Sequence, residues 1–120
     1  MTPKVLLIAK ETATTYIKDI LSKLNIYVEI AVDKKGIRAK IKNSDVVILD
    51  DDIFVGSISS LRPAIISSVK RAGKIFVVIS SHKSLDNVLE LKSFGASDYI
   101  VKPFNHREFI VRLNAAINKK

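Results

Sequence analysis

The chain contains no cysteine and no tryptophan, one methionine, three prolines and four glycines. Without cysteine, disulfides, thiolate metal sites and cysteine nucleophiles are all excluded. With so little glycine and proline there is no linker, repeat or low-complexity segment. Long apolar runs are missing as well. The first one, Val5-Leu6-Leu7-Ile8-Ala9, falls far short of the ~20 residues of a membrane span and of a signal-peptide core. A soluble, cytoplasmic protein with no membrane partner is expected. Histidine is scarce too: His82 and His106 have no partner at metal-ligand spacing and are assigned to surface loops.

What is present is enough apolar residue, 48% of 120 positions, to build one core without staples. A single domain spanning 1–120 is expected. The net charge is +8, which would suit an acidic partner. The basic residues are nevertheless dispersed along the chain, and no aromatic ladder runs among them as single-strand binding requires. They read as a solvated lysine-rich surface, with a basic nucleic-acid-binding α/β module kept as an alternative.

One stretch organises the rest. In Asp45-Val46-Val47-Ile48-Leu49-Asp50-Asp51-Asp52, four consecutive apolar residues run into three carboxylates. Such a run reads as a strand buried on both faces, the kind found in helix-covered parallel sheets. Open α/β sheets bind ligands beyond the carboxyl ends of their strands, so Asp50, Asp51 and Asp52 stand where chemistry is expected. Three adjacent carboxylates repel one another and call for a nearby cation.

The remaining chain alternates strands and helices. Val5–Ala9 is a first buried strand. A helix over Thr12–Leu24 follows, with Ile17, Ile20, Leu21 and Leu24 as its stripe, Thr12, Thr14 and Thr15 able to cap it and Asn25 to end it. Ile26–Val32 is a second strand nearer the sheet edge. Asp33 can cap a short basic helix that turns Ile37 and Ile41 inward. After the acidic strand and a loop at Gly56-Ser57, Leu61, Ile65, Val69 and Ala72 make the stripe of the third helix, with Pro63 in its first turn and Gly73 at its end. Ile75–Ile79 is a fourth strand ending in Ser80-Ser81. A fourth helix is lined by Leu85, Val88, Leu89 and the Lys92 stem. Tyr99–Val101 is a fifth strand. Asn105 and Glu108 have capping-box spacing for a last helix lined by Phe109, Leu113, Ala116 and Ile117. Five βα units predict a parallel sheet with helices on both faces and right-handed crossovers. The last helix closes the pattern, so the chain would either stand alone or be one module of a longer protein.

The run Asp45–Asp50, the hydroxyl of Ser80 and the stretch Gly95-Ala96-Ser97-Asp98-Tyr99-Ile100-Val101-Lys102-Pro103-Phe104 resemble the CheY-like receiver domain of two-component response regulators. The resemblance covers essentially the whole chain. It implies a flavodoxin-like, doubly wound sheet of five strands in the order 2-1-3-4-5 with five helices. It implies Asp50 as the acceptor of a phosphoryl group from a histidine kinase or small phosphodonor, with no other enzymatic activity. Lys102 would contact the phosphoryl oxygens, Ser80 would hydrogen-bond the group, and Tyr99 would be the aromatic that changes rotamer with activation. The chemistry is coherent, because a carboxylate nucleophile gives an acyl phosphate and fixed cations offset the incoming charge. Ser80 and Ser81 equally suit capping of the next helix, and Tyr99 an ordinary half-buried position.

The departure from the family lies after the first strand. Where it carries an acidic pair that holds Mg²⁺, Ala9 and Lys10 stand here, and Glu11 follows one place late. The family's proline after the phosphoacceptor is also replaced, by the run Ile53-Phe54-Val55-Gly56. No cofactor is expected, unless Glu11 shifts to join Asp50 and the main-chain carbonyl of Asp52 around Mg²⁺. The expectation is an atypical pseudo-receiver in which Lys10 substitutes for the metal and pairs with the cluster beside Lys102. It would work through protein contacts with a histidine kinase or another signalling protein. The family's contact face of helix 4, strand 5 and helix 5, here including Lys92, Tyr99, Arg107, Glu108 and Arg112, would serve a partner or a homodimer. An output domain would lie outside this chain. A phosphorylation-competent receiver is the first alternative. A flavin site at Thr12-Ala13-Thr14-Thr15 is a further one, disfavoured because the loop has no glycine and the chain no stacking tryptophan.

Overall fold

The computed structural model describes residues 3–23, 27–31 and 36–118. Strands and helices alternate: β1 (Lys4–Ile8), α1 (Glu11–Ser22), β2 (Tyr27–Ala31), α2 (Ile37–Lys42), β3 (Val46–Asp50), α3 (Arg62–Ala72), β4 (Ile75–Ser80), α4 (Leu85–Ser93), β5 (Asp98–Val101) and α5 (His106–Asn118). Two 3-10 turns, Asp51–Ile53 and Gly56–Leu61, fill the path from β3 to α3. The strands form one five-stranded sheet in the order β2-β1-β3-β4-β5, with every neighbouring pair parallel.

The continuous apolar runs explain this arrangement. Every residue of β3 is buried, and alternate side chains point to opposite faces of the sheet. Val47 and Leu49 join Leu6, Phe76 and Val78 against α2, α3 and α4, where Ile41, Ile65, Ile66, Val69 and Leu91 pack. Val46 and Ile48 join Val5, Leu7, Val77 and Ile79 against α1 and α5, where Ile17, Ile20, Phe109 and Leu113 pack. The C-terminal ends of β3, β4 and β5 therefore emerge side by side at one rim of a covered sheet.

Several local expectations differ from the structure. α1 starts at Glu11, one residue before the first threonine, and Lys10 is its N-cap without a side-chain bond. Leu24, Asn25 and Asp33 lie outside the described residues, as do the side chains of Thr12, Thr14 and Thr15. α2 is preceded by Gly36, whose φ of 77° is the left-handed conformation that glycine adopts without strain. In α3, Ile66 is buried where Ala72 was expected, and Ala72 is exposed. The largest difference is in α4. Leu85 and Leu89 are 69% and 55% exposed, while Leu91 is fully buried and Val88 packs at the edge of the core. The helix is rotated relative to the leucine stripe: Leu91 is its one buried residue and joins the cluster that holds Phe76, Val78 and Tyr99. Ser84, not Ser80 or Ser81, caps α4, accepting from the Asn87 N–H at 3.1 Å. At α5, Asn105 Oδ1 accepts from the Glu108 N–H at 2.7 Å, as capping-box spacing requires. Among the described residues no helix is long and apolar enough to cross a membrane.

Candidate functional site

β3 delivers Asp50, Asp51 and Asp52 to the rim of the sheet, and each carboxylate finds a different solution to its neighbours' charge. Asp50, the last strand residue, is 2% exposed. Its Oδ1 accepts from the Asp52 N–H at 3.1 Å, which caps the following turn. Its Oδ2 accepts from Lys102 Nζ at 2.8 Å. Lys102 comes from the end of β5, and its own N–H donates to the Ser80 carbonyl at 2.8 Å, which ties the two strand ends together. The same ammonium lies 3.1 Å from Asp52 Oδ2. Burial pushes the Lys102 pKa down, but hydrogen bonding to and the charge of Asp50, then Asp52, outweigh it and hold the group above its ordinary 10.5.

Asp52 turns its carboxylate toward β4. Both oxygens accept from the Ser81 N–H, at 3.1 and 3.0 Å, and Oδ1 is 3.3 Å from Ser80 Oγ. Burial raises the Asp52 pKa, but the Ser81 N–H and Lys102 together lower it further, to below its ordinary 3.8. Asp51 points the other way and is gripped by Arg62, the first residue of α3. Nε donates to Oδ1 at 2.8 Å and Nη2 to Oδ2 at 3.2 Å, the bidentate geometry that suits guanidinium and carboxylate. Arg62 Nη1 also reaches Glu90 Oε1 at 2.7 Å. The hydrogen bonds that Arg62 donates to Asp51 raise its pKa against the effect of burial, with help from Glu90.

A hydrogen-bond chain leads outward from this cluster. Ser80 Oγ accepts from the His82 N–H at 3.0 Å. Tyr99, 5% exposed, donates its hydroxyl to the His82 carbonyl at 2.9 Å and accepts from Asn87 Nδ2 at 2.6 Å. Asn87 Oδ1 in turn accepts from Arg62 Nη2 at 3.4 Å. The rim of the sheet, the loop 81–84, the start of α4 and the start of α3 are thus one connected network.

The structure brings Asp50, Asp52, Ser80 and Lys102 together and places Tyr99 against the same loop. It does not bring in Lys10. That residue is exposed at the tip of β1 and makes no ion pair with the cluster among the described residues. The cation that was expected from Lys10 comes from Arg62 instead, because the start of α3 turns back over the 3-10 turns and reaches Asp51. Arg62 and Asn87 were not singled out in the sequence. The signal pointing to Arg62 is the unanswered third carboxylate, but nothing in the sequence says which of twenty cationic residues answers it.

Among the described residues the donors do not fit an octahedral Mg²⁺. Ala9 is buried and has no side-chain oxygen, Asp50 and Asp52 share Lys102, and Asp51 is occupied by Arg62. Among the described residues no group of three His, Asp or Glu side chains is placed to hold an ion. The Glu11 side chain lies outside the described residues.

The five-stranded 2-1-3-4-5 sheet has counterparts among known proteins. No protein-family model matches the chain. The chain is 25% identical over 120 residues to the cell cycle transcriptional regulator CtrA of Caulobacter vibrioides, covering 97% of this chain and 51% of that protein. It is 27% identical over 117 residues to the transcriptional regulatory protein KdpE of Staphylococcus aureus, covering 94% and 49%. The chain spans about half the length of these curated relatives. A crystal structure of a CheY-like response regulator receiver domain protein from Methanospirillum hungatei superposes with a TM-score of 0.81 at 22% identity, over 99% of this chain and 96% of that one. The fold is that of CheY-like response regulator receiver domains.

Proposed function

We propose that the chain is the receiver module of a two-component phosphorelay in which the phosphoacceptor position is neutralised by the protein itself, so that Mg²⁺-dependent phosphorylation is impaired and signalling runs through protein contacts. The observation that carries this reading is the 2.8 Å pair between Asp50 and Lys102 opposite a strand tip that offers Ala9 and Lys10 instead of two carboxylates. Phosphoryl transfer to a carboxylate is helped by a metal that bridges attacking and transferred oxygens, and ammonium and guanidinium groups do not coordinate in that way. The module is not an enzyme on this reading. The exposed Leu85 and Leu89 of α4, together with the exposed Lys92 and Arg107, support α4 and α5 as the face for a histidine kinase, another signalling protein or a second copy. The names and greater length of the curated relatives support an output segment acting with such a module, in the cytoplasm.

The test is a Mg²⁺ titration followed by amide NMR. Resonances of Asp50 to Ile53 and of Lys102 should stay in place at millimolar metal. Saturable shifts at these residues would refute the reading. The convergence of Asp50, Ser80 and Lys102 favours a second reading, a phosphorylation-competent receiver with Asp50 as acceptor, and that reading requires those shifts.

A further inference from the structure

We infer that Asp52 is a tethered occupant of the phosphoryl cradle: its carboxylate holds the place of a phosphoryl group on Ser80, Ser81 and Lys102 and fixes the loop 81–84 and Tyr99 without phosphorylation. The inference deepens the receiver reading and rests on it. Three donors converge on this one carboxylate: Ser80 Oγ at 3.3 Å, the Ser81 N–H at 3.0 and 3.1 Å, and Lys102 Nζ at 3.1 Å. His82 Nε2 stands 3.9 Å away. A hydroxyl, a main-chain N–H and an ammonium are the donor set that a small oxyanion takes. Ser80 is fully buried, so its hydroxyl is a built element of the cradle.

The consequence travels along the chain of bonds already described. With Asp52 seated, Ser81 N–H is pinned and Ser80 Oγ stays in place to accept from His82 N–H. The His82 carbonyl then stands where the Tyr99 hydroxyl meets it. The switch aromatic is held by a residue of the chain itself, and an arriving oxyanion has to displace a side chain that is covalently attached and therefore present at high effective concentration.

The experiment compares the wild-type chain with Asp52→Ala by amide hydrogen exchange and by NMR of Ser81, His82 and the Tyr99 ring, each with and without inorganic phosphate. In Asp52→Ala the Ser81 amide should exchange about tenfold faster or more, since a bond to a charged acceptor is lost. The Tyr99 ring resonances should also shift. Millimolar phosphate should restore Ser81 protection in the variant and leave the wild type unchanged. Unaltered Ser81 exchange and Tyr99 resonances in the variant would overturn the inference. So would faster exchange that phosphate does not reverse, because Asp52 would then be only a loop cap. Asp52→Asn, isosteric and uncharged, is the second variant should alanine disturb folding, with the same direction and a smaller change. Neither arm uses a metal or a phosphodonor. Mg²⁺ binding to the wild type therefore overturns the preceding reading alone, and an indifferent Ser81 overturns this one alone.

Discussion

Arg62 and Asp51 are joined by two hydrogen bonds, at 2.8 and 3.2 Å, with the Asp51 side chain 3% exposed and the Arg62 side chain 24%. This pair removes one of three crowded charges from the rim of the sheet and anchors the start of α3 to the end of β3. Replacing Arg62 by alanine strands a buried carboxylate and should cost about 3 kcal/mol. Arg62→Lys should recover little of it, because an ammonium cannot match the two-point geometry. Urea denaturation of the three proteins measures both, and full rescue by lysine would show that only charge matters.

Lys102 answers two carboxylates, so its removal should be worse than the loss of an ordinary surface pair. Lys102→Met leaves Asp50 buried without a counter-charge, and Asp50→Asn removes the need for one. In a double-mutant cycle the two changes should couple by about 2 kcal/mol, with the double variant more stable than Lys102→Met alone. Additive effects would mean that the 2.8 Å contact carries no energy.

The Tyr99 hydroxyl bridges the His82 carbonyl and the Asn87 amide. Tyr99→Phe keeps the buried ring and deletes only the bridge. It should cost about 1 kcal/mol and speed amide exchange at Asn87 and Val88 while Val77 and Ile48 stay protected. Loss of protection across the whole sheet would indicate a packing defect instead.

In α4, changing Leu85 and Leu89 together to serine should alter stability by no more than about 0.5 kcal/mol per site, since both are exposed. Leu91→Ala should cost about 3 kcal/mol through the cavity it leaves. If the exposed pair serves a partner, the serine variant should fold normally and lose that contact, read by sedimentation for a second copy or by pull-down with a candidate kinase.

Much of this was legible in the chain. Val46–Asp50 and Ile75–Ser80 could only be strands covered on both sides, and their alternation with amphipathic segments left little choice but a parallel sheet. The meeting of Asp50, Ser80 and Lys102 follows from three strand ends sharing one rim. What sequence did not reveal depended on distances across the chain. Leu85, Leu89 and Leu91 are equally apolar, and only the way α4 packs on the face that carries Phe76, Val78 and Tyr99 decides which is buried. Lys10 and Arg62 are equally cationic, and only the path of the 3-10 turns decides which reaches Asp51. The family resemblance points only to the main-chain carbonyl of Asp52, whereas its side chain turns toward Ser81 from the turn that Asp50 caps.

On the proposed reading the chain neutralises its own acidic rim, and phosphoryl transfer to Asp50 is impaired. The most direct measurement is intact mass after incubation with acetyl phosphate and Mg²⁺, beside an Asp50→Asn control. Both proteins should keep the same unmodified mass. A stoichiometric gain of one phosphoryl group on the wild type, absent from the control, would show instead that Asp50 is a competent acceptor.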